Sequence, residues 1–160
     1  MTTTIRPSPV RKSVIVAAPI ETAFAVFTEG FGSWWPASYS IGNSVLKNAV
    51  MEPKAGGRWY EIGEDGTECD WGEVLAWEPP SRVLLAWRIG GDWRFNATLL
   101  TEVEVCFLKE GEQSTRVELV HRLLENMGET AEAARQTFES EHGWNGILGS
   151  YAAEVQRKAT

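Results

Sequence analysis

Basic charge, histidine and cysteine are all scarce in this chain, and each shortage removes a class of function. There are 15 Lys and Arg against 22 Asp and Glu, for a net charge of −7. Phosphate backbones and anionic lipid surfaces are bound by clustered Lys and Arg, so neither nucleic acid nor a membrane is expected as a partner. The two cysteines, Cys69 and Cys106, lie in strand-like segments and match no metal-ligand spacing. No apolar run approaches membrane-spanning length, and the N-terminus lacks the apolar centre of a signal peptide. No phosphate-binding glycine loop or nucleophile elbow appears. These absences lead to an expectation of a cytoplasmic, reduced protein with no metal and no other cofactor.

Tryptophan, in contrast, is abundant. Eight occur in 160 residues, which implies large amphipathic rings lining a core or a binding surface. Four of them, Trp59, Trp71, Trp77 and Trp87, fall within residues 56–88, which read as three short strands. If Asp65-Gly66 forms a two-residue hairpin turn, Trp59 falls opposite Gly72. A tight turn at Pro79-Pro80 then brings Trp87 opposite Gly72 from the other side. Two indoles flanking a residue without a side chain point to a face shaped around a space. On this register Gly72→Val wedges a branched side chain between indoles, at a cost of about 1–3 kcal/mol.

Residues 1–9 read as a disordered lead-in and residues 10–160 as one domain. Residues 10–17 form a first strand, and Pro19 suits the first turn of a helix carrying Ala23, Phe24 and Phe27. The Gly30–Pro36 segment breaks that helix and starts a loop or a second short one. Residues 45–51 form an outer strand. Thr101, Val103, Val105 and Phe107 alternate with polar positions, as do Thr115, Val117, Leu119 and His121. From Thr130 the period becomes helical, and Gly143 kinks or divides that long C-terminal helix. The fold class is therefore α+β: a curved antiparallel sheet wrapped around a long C-terminal helix, with two short helices between the first and second strands.

The chain resembles the START-like (SRPBCC, helix-grip) superfamily, and within it the activator of heat shock protein 90 ATPase homologue-like family. The residues that carry the resemblance are Ala18-Pro19-Ile20-Glu21-Thr22-Ala23-Phe24, Trp34-Trp35-Pro36, Gly56-Gly57-Arg58-Trp59, Trp71-Gly72-Glu73-Val74, Pro79-Pro80-Ser81-Arg82-Val83 and Gly143-Trp144. The resemblance runs from about Val10 to Val155. It implies a cavity between sheet and C-terminal helix, in a superfamily that includes lipid carriers, cyclases, resistance proteins and partners of a stress-response chaperone.

The hairpin register places Trp59, Glu61, Asp70, Gly72, Val74 and Ala76 on one face with Val83, Leu85 and Trp87. The resemblance favours that face as the inner one. Glu61 and Asp70 then sit opposite each other, either sharing a proton or cation near a pocket mouth or lying in water at the turn end of the hairpin. His121 is in phase with Val117 and Leu119, across from Thr101. It is either a general acid or base facing a ligand or a core histidine bonded to Thr101. Trp34 and Trp35 either stack on a ligand or plug the open end of the core, and Trp144 has the same two readings. His142 reads as a solvated helix-end residue. Trp71, Leu75 and Trp77 fall on the outer face and form an apolar patch fit for a chaperone or a second copy. The leading expectation is a hydrophobic, aromatic or lipid-like small molecule held by Trp34, Trp35, Trp59, Glu61, Asp70, Gly72, Trp87, His121 and Trp144. A co-chaperone role and an enzyme using His121 are the alternatives.

Overall fold

The computed structural model describes residues 8–159, so the expected lead-in lies, for residues 1–7, outside the described residues. The chain runs β1 (Val10–Val16), α1 (Ile20–Phe27), α2 (Phe31–Trp34), a 3-10 turn (Ala37–Tyr39), β2 (Leu46–Met51) and β3 (Arg58–Gly63). It continues as β4 (Glu68–Glu78), β5 (Arg82–Trp87), β6 (Thr101–Gly111) and β7 (Ser114–Arg122). A 3-10 segment (Leu124–Thr130), α3 (Ala131–Glu139), a π-helical turn (Glu141–Asn145) and α4 (Gly146–Ala159) complete it. The seven strands form one antiparallel sheet in the order β1-β7-β6-β5-β4-β3-β2. This is the expected helix-grip arrangement.

Strands β6 and β7 follow the simple alternation of their sequence. Thr101, Val103, Val105 and Phe107 are buried, as are Thr115, Val117, Leu119 and His121. Charged residues occupy the opposite face, where Arg122 bonds Glu102 and Glu104, and Arg82 bonds Glu104 and Glu78. Ion pairs on a solvated sheet face contribute only about 0–1 kcal/mol each, so this half-buried ladder keeps the face polar more than it holds the fold. The C-terminal helices cover the apolar face with Phe138, Trp144, Leu148, Tyr151 and Val155. Tyr151 also donates its hydroxyl to the Ala23 carbonyl of α1 at 2.7 Å.

Gly143 divides the last helix, as its sequence suggests. Its backbone leaves helical geometry (φ −100°, ψ −139°), and a Cβ there would lie 2.3 Å from the Thr137 carbonyl oxygen and 2.4 Å from that of Phe138. Only glycine lets the turn seat this closely on the end of α3.

The β3–β5 meander departs from the simple register. The β3–β4 connection is longer than a two-residue turn: Gly63 donates to Thr67 O, and pairing starts at Ile62 with Glu68. Glu61 therefore faces Cys69 and Tyr60 faces Asp70. A β-bulge at Trp71 then restores the expected partner, and Trp59 does lie opposite Gly72. Gly72 in turn pairs with Trp87, and a second irregularity at Leu75 puts Trp77 opposite Val83. Each bulge adds one residue to β4 alone, which bends the strand and inverts the side-chain phase beyond it.

These inversions correct three face assignments. Trp71 is not on the outer face but fully buried, with its ring 5.4 Å from that of Trp59. Trp77 also turns inward, 5.1 Å from the Phe24 ring, and only Leu75 remains exposed. The apolar outer patch of Trp71, Leu75 and Trp77 does not form. Asp70, placed on the inner face by the simple register, is on the outer one, bonded to Arg58 at 2.8 Å.

Candidate functional site

A cavity of about 340 Å3 opens between the β4–β5 end of the sheet and the junction of α3 with α4. Its walls are the indoles of Trp35, Trp71, Trp87, Trp93 and Trp144, together with the Phe138 ring. The rings meet edge to face: Trp87 lies 5.7 Å from Trp144 and 5.6 Å from Phe138, at 67° and 85°. A volume near 300–1,000 Å3 is what small-molecule sites use. Polar groups come from two sides, Ser38, Tyr39 and Ser40 on one and Thr137 and His142 on the other.

Of the nine residues expected to hold a ligand, Trp35, Trp87 and Trp144 line this cavity. Trp34 is a plug: it packs 5.0 Å from Phe27 and 5.3 Å from Tyr151, and its indole donates to Val26 O. Trp59 lies behind Trp71 and Trp87, fully buried, with no hydrogen-bond partner for its indole among the described residues. Asp70 is outside. Gly72 contributes backbone, and a Cβ there would sit 1.8 Å from the Ala86 carbonyl oxygen. The missing side chain thus makes room for the neighbouring strand and not for a ligand between two indoles. Trp71, Trp93, Phe138 and His142 line the cavity without having been expected there. The helical phase of Phe138 was a usable signal; Trp71 was hidden by its bulge.

Glu61 is buried as its phase implies, but it does not pair with Asp70. It reaches the segment after the 3-10 turn, accepting from the backbone N–H of Ile41 at 2.7 Å and of Gly42 at 3.2 Å. The Trp71 indole donates to it as well, at 2.9 Å. Three donors and no cation meet this carboxylate among the described residues, an arrangement suited to an acceptor-only group. Residues 38–44 are thereby strapped against β3 and β4, and Ser38–Ile41 close one wall of the aromatic cavity. Beyond the strap lies a more polar hollow of about 230 Å3, lined by Glu61, Ser44, Asp65, Thr67 and Cys69 among others. Burial, and then the Glu61 charge, push the Cys69 thiol up, which disfavours a thiolate there.

His121 is enclosed and fully bonded. It faces Val103 in the ladder rather than Thr101, but reaches the Thr101 hydroxyl diagonally at 2.9 Å through Nε2. The Trp144 indole N–H, which can only donate, points at Nδ1 at 3.1 Å. The proton therefore sits on Nε2 and is donated to Thr101 Oγ1, whose own hydrogen goes to Trp87 O at 2.8 Å. The imidazole fixes the cavity walls Trp87 and Trp144 without itself lining the cavity, so it is not placed to exchange a proton with a molecule there.

Burial lowers the His121 imidazole to about 3, against about 6.5 in an unfolded chain. The unfolded chain binds the proton first as pH falls. The stability this group contributes is complete above about pH 6.5 and is lost progressively toward the folded value. Gln at position 121 offers the same two neighbours an acceptor and a donor but does not titrate. Unfolding free energy should therefore fall more steeply for the wild type than for His121→Gln between about pH 6.5 and pH 4. Parallel slopes would contradict a buried neutral imidazole.

No helix among the described residues is long and apolar enough to cross a membrane. No curated protein matches the chain in sequence. Among solved structures, an anthrahydroquino-γ-pyrone synthase, Txn09, is 38% identical over 94% of this chain and 97% of its own, with a TM-score of 0.65. The self-sacrificing resistance protein CalC from Micromonospora echinospora is 33% identical over 94% of this chain and 95% of its own, with a TM-score of 0.71. Protein MLL2253 from Mesorhizobium loti, 15% identical with a TM-score of 0.67 over 96% of this chain and 99% of its own, shares the fold. A family model described as activator of Hsp90 ATPase homolog 1-like protein matches residues 17–156. With the curled sheet, the gripped helix and that match over most of its length, the chain belongs to the activator of Hsp90 ATPase homolog 1-like family, within the SRPBCC superfamily.

Proposed function

We propose that this protein is a cytoplasmic binder of a flat, polycyclic aromatic molecule, held in the cavity between the sheet and the α3–α4 junction. The observation that carries the reading is the wall itself, five indoles and a phenyl ring around about 340 Å3. Rings offer rigid contact area and edge-to-face partners to an arene, whereas a flexible lipid chain has no need of so many. The name of the 38% identical relative, an anthrahydroquino-γ-pyrone synthase, supports an aromatic ligand. The two unbridged cysteines fit a reduced compartment.

Ile147 provides a test, because it lines the cavity from α4 and is itself buried. Ile147→Trp should fill the space and weaken binding of alizarin, a dihydroxylated anthraquinone, by at least about tenfold, which corresponds to 1.4 kcal/mol. Calorimetric titration of both proteins reads the change, with cooperative thermal unfolding as the control for folding. Undiminished affinity in a folded variant would place the arene elsewhere.

A further inference from the structure

We infer that His142 is the selectivity group of this cavity, accepting a hydrogen bond from a phenolic hydroxyl at the edge of the bound arene. The inference rests on the aromatic-binding reading and names the ligand more narrowly: a phenolic polycycle rather than a bare arene, an amine or a lipid. It starts from what the lining lacks. No Asp, Glu, Lys or Arg contributes to it, and His142 is its one basic side chain. A ligand ammonium would find no counter-charge there. An acidic O–H finds one basic acceptor, and an imidazole is a better partner for a phenol than a serine or tyrosine hydroxyl is.

On the same side the Thr137 hydroxyl donates to Ala133 O at 3.1 Å, which leaves it only an alcohol oxygen with which to accept. Among the described residues no hydrogen bond or ion pair is made by the His142 imidazole. The backbone turn that carries the imidazole is anchored on both sides. Gly143 N donates to Ser140 O at 2.9 Å, its α-carbon is pressed against the Thr137 and Phe138 carbonyls, and Trp144 is bonded to His121. A basic group is thus carried by an anchored turn into the lining of an aromatic box that Phe138, Ser38, Tyr39 and Ser40 also line. Trp93 completes the rim with its ring 5.9 Å from Phe138, at 87°. An arene inserted among the indoles leaves its outermost edge at this rim.

Calorimetric titration with alizarin and with unsubstituted anthraquinone tests the assignment. The wild type should bind alizarin about tenfold more tightly, the scale of one good hydrogen bond. His142→Ala should reduce that preference to within about twofold and leave the affinity for anthraquinone within about threefold, since the rings that hold the arene are untouched. His142→Gln, which keeps an acceptor at the rim, should recover part of the preference. A preference that persists in His142→Ala overturns the assignment and hands the hydroxyl to the serine and tyrosine side. Failure of both arenes to bind the wild type overturns the aromatic-binding reading and this inference with it.

Discussion

Gly72→Ala should destabilise the protein by more than the about 1–3 kcal/mol of ordinary overpacking. A single added carbon would lie 1.8 Å from the Ala86 carbonyl oxygen and 2.8 Å from its carbon. Both atoms belong to the main chain of the adjacent strand, so relief requires β4 and β5 to part where Gly72 pairs with Trp87. A side chain could rotate away; a paired backbone cannot. For a chain of this length the loss corresponds to a fall in melting temperature of at least about 6 °C. Alanine is the sharper substitution than valine here. It is small enough to be tolerated if the glycine merely leaves room between two indoles, and it is not tolerated if the glycine admits a carbonyl. A melting temperature within about 2 °C of the wild type would restore the indole explanation.

Glu61→Ala should cost about 3 kcal/mol or more, because it strands three buried or half-buried donors at once. Ile41 N, Gly42 N and the Trp71 indole all lose their acceptor. Glu61→Gln should be milder, about 1–3 kcal/mol, since its amide NH2 replaces one acceptor and faces a donor. The two effects should also be local. Hydrogen exchange at the Ile41 and Gly42 amides should accelerate in Glu61→Ala beyond what the global loss of stability explains. The strap would then leave the cavity wall, and affinity for alizarin should fall with it. Amides at Ile41 and Gly42 that stay protected in the alanine variant would show that the strap is held by something other than this carboxylate.

The parts of the fold that were legible in the sequence are those where side-chain phase is unbroken. Val103, Val105 and Phe107 face inward because β6 and β7 pair without a shift until residues 109–111. Gly143 was legible because a glycine inside a helical period has few other uses. The meander was legible only at one point, and by compensation. A turn longer than two residues moved the register one way, the bulge at Trp71 moved it back, and Trp59 met Gly72 as expected. Between turn and bulge the prediction failed, which is why Asp70 went outside and Glu61 found other partners. A bulge adds one residue without a fixed composition, so alternation alone cannot reveal it. The inward turn of Trp71 and Trp77 was hidden in this way, and with it much of the cavity wall. Glu61 was hard to read for a different reason: its partners are backbone amides about 20 residues away, and amides have no sequence signature. Its place at the helix break makes His142 a solvated helix-end residue on sequence grounds. It is exposed, but the cavity opens beside it, and that depends on the fold of the π-turn.

The central claim, that an arene enters the cavity walled by these indoles, is tested most directly by the indole N–H signals in an NMR titration with alizarin. The account predicts that the signals of Trp35, Trp71, Trp87, Trp93 and Trp144 move together and saturate at one equivalent. The signal of Trp34, which is turned away and bonded to Val26 O, should stay within the shifts of residues remote from the site. Movement confined to Trp34, or no movement in the cavity indoles at saturating alizarin, would contradict it.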